Sequence, residues 1–128
     1  MISASRKRIL IVDDEPEICG LCKRVFTKEG FEVDVASNGR IAQAMIRKRK
    51  YELYLIDIKM PLMDGKELYE WFQEAYPDSI GKVVFTTGSA FSVETESFIQ
   101  SYGRFVLQKP FTNEELISTI KEVLRRVE

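Results

Sequence analysis

The stretch "YLIDIKMP", residues 54–61, ends an apolar run with a carboxylate and then reaches a proline. Tyr54, Leu55 and Ile56 are typical of a buried strand, whereas Asp57 carries a charge that a protein core does not accept without a partner. Asp57 is therefore expected at the point where a strand emerges from the core. This part of the molecule should face water or a ligand.

Short apolar runs alternate with helical patterns along the whole chain. Strands are predicted at residues 8–12, 31–36, 53–57, 82–87 and 104–108. Helices are predicted from about Pro16 to Glu29, from the Asn38 turn to about Lys50, from the Asp64 cap to a point before Pro77, over 92–101, and from the Thr112 cap through Val127. Five strands that alternate with five helices indicate a parallel sheet with helices on both faces.

Polar residues follow several of the predicted strands. The working site of such a sheet lies beyond the carboxyl ends of its strands. The residues expected there are Asp13, Asp14, Asp57, Thr87 and Lys109. Each of them alone is common at a strand end or on a surface, but their convergence on one edge favours a functional site.

The residue types at this edge suit phosphoryl chemistry. Two ionised carboxylates 4 Å apart repel by about 4 kcal/mol at an effective dielectric near 20, so the cluster needs a cation. Oxygen ligands with room for water suit Mg²⁺, and a lysine and a hydroxyl beside the metal suit a phosphoryl group. The sequence has no histidine. Asp57 is therefore the obvious nucleophile, since a carboxylate can form an acyl phosphate.

Length and composition set further limits. The 128 residues predict one domain, with its core over about 8–127, and the net charge of −1 gives no electrostatic case for direct nucleic-acid binding. No apolar run is long enough to cross a bilayer, and the N-terminus lacks a secretory pattern. A cytoplasmic protein without membrane insertion is expected.

Four motifs in order resemble the receiver domain of two-component response regulators. They are "ILIVDDEPE" at 9–17, "LIDIKMPLMDG" at 55–65, "VVFTTG" at 83–88 and "LQKPF" at 107–111. The resemblance covers nearly the whole chain. It implies a flavodoxin-like α/β fold, with a five-stranded parallel sheet of order 2-1-3-4-5 and five helices on both faces. Two of the motifs also look like receivers attached to hybrid histidine kinases.

The resemblance implies a metal site and a phosphoacceptor. Asp14 and Asp57 would bind Mg²⁺ directly together with the backbone carbonyl of Lys59, and Asp13 would act through a bound water. Asp57 would accept a phosphoryl group from a histidine kinase or a histidine phosphotransfer protein.

Other residues would assist the phosphoryl group. Lys109 would pair with its oxygens and Thr87 would donate a hydrogen bond, while the Lys109–Pro110 bond would be cis. The domain would catalyse only its own phosphorylation and dephosphorylation, as a monomer or weak dimer. It would then switch its helix-4, strand-5 and helix-5 face toward an unknown output partner. One departure is Val106, where many family members carry an aromatic ring that rotates on activation.

The sequence also offers three other interpretations. Cys19 and Cys22 have the spacing of a thiol–disulfide exchanger, but they are better interpreted as an exposed thiol and a core residue of a helix. A phosphatase of the haloacid-dehalogenase kind would also use Asp57, but it needs an aspartate where Lys59 stands. The run "RKRK" at 47–50 is better explained by cations in the last turn of a helix than by nucleic-acid binding.

Overall fold

A computed structural model describes residues 7–88 and 92–126. Its strands are β1 (Arg8–Val12), β2 (Glu32–Ala36), β3 (Leu53–Asp57), β4 (Val83–Thr87) and β5 (Val106–Gln108). Its α-helices are α1 (Pro16–Lys28), α2 (Gly39–Lys48), α3 (Gly65–Ala75), α4 (Val93–Tyr102) and α5 (Asn113–Arg126). All strand pairs are parallel and the sheet order is β2-β1-β3-β4-β5, which confirms the predicted fold.

A few boundaries differ from the prediction. A short 3-10 helix, Pro77–Lys82, precedes β4, and its proline, serine and glycine gave no periodic signal in the sequence. The second helix ends at Lys48 rather than Lys50 because Arg49 is already extended, with φ −158° and ψ 159°. The fifth strand begins at Val106 rather than at residue 104. Val127 lies outside the described residues.

The sheet separates two apolar layers because successive side chains of a strand point to opposite faces. On β1, Ile9 and Ile11 face one layer, while Leu10 and Val12 face the other. The first layer contains Cys22 of α1 and Leu116 of α5, and the second layer is covered by α2, α3 and α4. Burial of each such side chain contributes about 1.5–3 kcal/mol. The buried strands therefore hold their carboxyl ends in fixed positions.

Predicted caps begin three of the helices. The Asn38 side chain accepts a hydrogen bond from the Ile41 N–H at 2.9 Å, at the start of α2. Asp64 with Glu67 makes a capping box for α3, and Thr112 with Glu115 makes the same reciprocal bonds before α5. These bonds fix where the three helices start.

The start of α3 packs directly on the end of β3. The Gly65 N–H donates to the Ile58 carbonyl oxygen at 2.8 Å. A Cβ atom at Gly65 would lie 2.3 Å from the Asp57 carbonyl oxygen, so only glycine allows this approach. The close packing holds the backbone of Asp57 against α3.

Across residues 7–88 and 92–126, every helix is too short or too polar to cross a bilayer.

Candidate functional site

Three carboxylates meet at the carboxyl edge of the sheet. Asp13 and Asp14 follow β1, and Asp57 ends β3, which lies next to β1. One oxygen from each carboxylate lies within 4.8 Å of the others. Asp13 and Asp57 are 2% and 5% exposed, whereas Asp14 is exposed to solvent. The predicted convergence of these residues is therefore present.

Lys109 places its ammonium group among these carboxylates. Its Nζ atom lies 2.9 Å from Asp13 Oδ2 and 3.3 Å from Asp57 Oδ2. The backbone N–H of Lys109 donates to the Thr87 carbonyl oxygen at 2.7 Å, so the lysine backbone is held just beyond β5. The Lys109–Pro110 peptide bond is cis, as predicted.

An open cavity of about 470 Å³ lies over the carboxylates. It is lined by Asp14, Glu15, Asp57, Lys59, Thr87, Gly88 and Lys109. Thr87 belongs to this lining, whereas the neighbouring Thr86 is buried and its Oγ1 has no hydrogen-bond partner among the described residues. Side-chain alternation on β4 thus directs the Thr87 side chain toward the site, as the sequence predicted.

Burial and mutual repulsion disfavour the charged form of two carboxyl groups. Burial raises the pKa of Asp57 to about 6, and the charge of Asp13 adds to this shift while Lys109 opposes it. Burial likewise raises the pKa of Asp13. For Lys109, burial would lower the pKa, but hydrogen bonds to Glu15 and Asp13 outweigh it and raise the value. The site therefore favours an added cation.

The donor atoms fit a hard divalent cation. Asp13, Asp14 and Asp57 offer only oxygen ligands, and the cavity above them leaves room for water, which is the combination that suits Mg²⁺. Lys59 is exposed and lines the same cavity. The use of its backbone carbonyl as a ligand stays a prediction.

Glu15 is a residue of this site that sequence reasoning missed. Its Oε1 atom lies 2.5 Å from Lys109 Nζ, and its backbone N–H donates to Asp13 Oδ1 at 2.9 Å. The sequence carried one signal, a third acidic residue directly after Asp13 and Asp14. Glu15 and Lys109 are separated by 94 positions, so no local pattern could have paired them.

The two cysteines do not resemble a reactive pair. Cys22 is fully buried, which confirms its predicted place in the core, and burial raises its pKa to about 12. The prediction of an exposed Cys19 thiol is wrong: the residue is half-buried and its Sγ donates to the Asp13 carbonyl oxygen at 3.3 Å. Burial and the charge of Asp13 raise the pKa of Cys19 to about 11, so a thiolate is disfavoured.

Arg47 and Lys48 lie in the last turn of α2, where their charges complement the helix dipole. Arg49 and Lys50 lie beyond the helix, so the helix-end explanation covers only half of the basic run. The Arg47 guanidinium packs 5.2 Å from the centre of the Trp71 ring.

Val106 is half-buried at the start of β5 and packs against the second apolar layer. Its Cγ2 atom would lie 2.9 Å from a Cβ atom at Gly103, so the side chain is fitted closely to the end of α4. The position therefore holds a small, half-buried side chain where many receivers hold a ring.

Known proteins are similar to this chain in both sequence and fold. Residues 9–121 match the family model of the response regulator receiver domain. The transcriptional regulatory protein TrcR of Mycobacterium tuberculosis is 32% identical over 119 residues, which cover 93% of this chain and 46% of TrcR. This chain thus spans about half the length of that relative.

Two crystal structures are similar over nearly the whole chain. A CheY-like receiver domain protein from Methanospirillum hungatei has a TM-score of 0.85 and 35% identity, covering 96% of this chain and 97% of the other. The response regulator TrrA from Thermotoga maritima, in complex with Mg²⁺ and BeF, has a TM-score of 0.76 and 31% identity, covering 92% and 99%.

Proposed function

Because this chain belongs to the response regulator receiver domain family, we propose that it carries signals by accepting a phosphoryl group on Asp57. One observation carries the proposal. The Asp57 carboxylate is buried beside two other carboxylates and lies 3.3 Å from the Lys109 ammonium group. A group placed in this way can act as a nucleophile between a cation site and a fixed positive charge.

The transfer step uses the side chains of the cavity. A carboxylate oxygen of Asp57 forms a bond to phosphorus while the bond from phosphorus to the donor breaks. The donor is the phosphohistidine of a histidine kinase or of a phosphotransfer protein, and its imidazole leaves with the electron pair. Lys109 balances the charge of the phosphoryl oxygens, and the Thr87 hydroxyl donates a hydrogen bond to one of them.

Asp14, Asp57 and the Lys59 carbonyl are the proposed direct ligands of Mg²⁺. When bound, the metal supplies positive charge that offsets the carboxylates and the phosphoryl oxygens. Asp13 Oδ1 already accepts a hydrogen bond from the Glu15 backbone N–H at 2.9 Å, and Asp13 Oδ2 lies 2.9 Å from Lys109 Nζ. Contact with the metal through a water molecule therefore suits Asp13 better than direct coordination. The complex of TrrA with Mg²⁺ and BeF supports this assignment by analogy.

The output surface is proposed to be the face formed by α4, β5 and α5. Phosphorylation adds charge beside Thr87 and Lys109. The backbone hydrogen bond between these two residues joins the end of β4 to the residue that follows β5. A coupling of about 1–3 kcal/mol between the site and this face is typical of such switches. TrcR is named a transcriptional regulatory protein, so an effector that acts in transcription is one candidate partner. The hybrid-kinase assignment and the cytoplasmic location stay predictions.

The reaction is proposed to be confined to the domain's own aspartate. A dehalogenase-type phosphatase needs a second aspartate where the exposed Lys59 stands. The raised pKa values of Cys19 and Cys22 argue against thiol–disulfide exchange.

The test is phosphorylation by acetyl phosphate with Mg²⁺, followed by intact mass spectrometry. The native protein should gain one phosphoryl group, and Asp57→Asn should gain none. Asp78→Asn is the matched control, because Asp78 is exposed on the 3-10 helix, and it should be labelled as the native protein is. Equal labelling of Asp57→Asn and Asp78→Asn would refute the assignment.

A further inference from the structure

Three carboxylates share the Lys109 ammonium group. Asp13, Asp57 and Glu15 lie 2.9, 3.3 and 2.5 Å from Lys109 Nζ. An ammonium group has three N–H donors, so each donor already has a carboxylate to bond. Phosphorylation moves the charge of Asp57 onto phosphoryl oxygens that lie farther out than its carboxylate oxygen. Lys109 can follow them only if Asp13 or Glu15 releases it.

Of these two contacts, the one to Glu15 can be released at the lower cost. Its side chain is 56% exposed, whereas that of Asp13 is 3% exposed. A released Glu15 carboxylate would be hydrated at once, but a released Asp13 carboxylate would stay buried without its cation. Removal of a partner from a buried charge is far more costly than loss of an exposed ion pair.

The backbone of Glu15 supports the same role. Glu15 is the N-cap residue of α1, with φ −94° and ψ 110°, but within the described residues its side chain makes no cap hydrogen bond. Its backbone N–H is held by Asp13 Oδ1. The side chain is thus directed to Lys109 instead of the helix, and it can be changed without loss of a cap.

We propose that Glu15 is a positioning residue that holds Lys109 in the unphosphorylated protein and competes with the phosphoryl group for it. This inference rests on the proposed function, since it assumes that Lys109 pairs with a phosphoryl group on Asp57. Glu15 would then limit how readily the site accepts an anion on Asp57.

Glu15→Gln should therefore shift two affinities in opposite directions. It weakens the hold on Lys109, so beryllofluoride should bind about two- to fivefold more tightly at saturating Mg²⁺, and labelling by acetyl phosphate should accelerate by a similar factor. It also removes one negative charge near the metal site, so Mg²⁺ alone should bind more weakly. A merely structural role would not produce shifts of opposite sign.

Two further variants separate contact from charge. Glu15→Asp keeps the charge but is one methylene shorter, so it should bind Mg²⁺ as the native protein does and beryllofluoride as Glu15→Gln does. Glu17→Gln makes the same charge change in the first turn of α1, where Glu17 has no ion pair in the described part of the chain. It should leave beryllofluoride binding unchanged.

Calorimetric titration with Mg²⁺, and with beryllofluoride at saturating Mg²⁺, measures both affinities. The inference is overturned if Glu15→Gln and Glu15→Asp bind beryllofluoride as the native protein does. It is also overturned if Glu17→Gln reproduces the gain, since that result would assign it to general charge. Failure of the native protein to be labelled would instead overturn the proposed function.

Discussion

Gly65 and Asp57 are packed so closely that a Cβ atom on the glycine would lie 2.3 Å from the aspartate carbonyl oxygen. The contact joins the first residue of α3 to the last residue of β3. The position of the proposed phosphoacceptor backbone therefore depends on the absence of a side chain eight residues later.

Gly65→Ala should destabilise the domain by about 1–3 kcal/mol, because backbone atoms must move to admit the methyl group. Urea unfolding measures the change. Gly20→Ala is the matched control: its Cβ atom would meet only Arg24 at 3.6 Å, and alanine in a helix should stabilise by about 0.5–1 kcal/mol. Equal stability of the two variants would contradict the close packing.

Asp57→Asn should stabilise the metal-free protein at pH 8 but not at pH 4. The pKa of Asp57 is raised from 3.8 to about 6. A raised carboxyl pKa contributes stability below the unfolded value, and that contribution is lost as the pH rises through about 6. The neutral amide avoids this loss, which is on the order of 2 kcal/mol.

Unfolding midpoints in EDTA at the two pH values check this expectation. Asp78→Asn, on an exposed residue, should change stability by less than about 0.5 kcal/mol at either pH. A pH-independent effect of Asp57→Asn would show that burial does not disfavour its charge.

Mg²⁺ should raise the melting temperature of the native protein, because a ligand that binds only the folded state stabilises it by about 2.7 kcal/mol at 100 times its dissociation constant. Asp14→Asn should lose most of this gain while its metal-free melting temperature changes little, since Asp14 is exposed. Glu17→Gln should keep nearly all of the gain. A full metal response in Asp14→Asn would remove Asp14 from the ligand set.

Thr86→Val should stabilise the domain by about 1 kcal/mol, because it replaces a buried hydroxyl that has no partner among the described residues with a methyl group. Thr87→Val should instead slow labelling by acetyl phosphate, since Thr87 lines the cavity. Thermal melts and labelling rates of both variants test the contrast. A slower rate in Thr86→Val alone would reverse the assignment of the two threonines.

The sequence was sufficient to predict the sheet, because apolar strands such as Leu53–Asp57 end sharply in polar residues. In a parallel sheet these strand ends lie at one edge, so the convergence of Asp13, Asp14 and Asp57 could be predicted without knowledge of side-chain contacts. The place of Glu15 in the site and the burial of Cys19 could not be predicted, because both depend on contacts between residues that are not neighbours in the sequence. The hydrogen bond from Lys109 to Glu15 spans 94 positions, and the half-buried Cys19 donates its Sγ–H to the Asp13 carbonyl oxygen.

The edge strand β5 pairs with β4 at three positions. The third position places Gln108 opposite Thr87, and Lys109 follows Gln108 directly. A shift of β5 along β4 would move the Lys109 ammonium group away from Asp57. Consider a protein that binds β5 in one register and binds the beryllofluoride-bound form more tightly. By reciprocity, it must raise the affinity for beryllofluoride by the same factor by which beryllofluoride raises the affinity for that protein. The output partner would thus increase the affinity of the site for the same anion whose binding it detects.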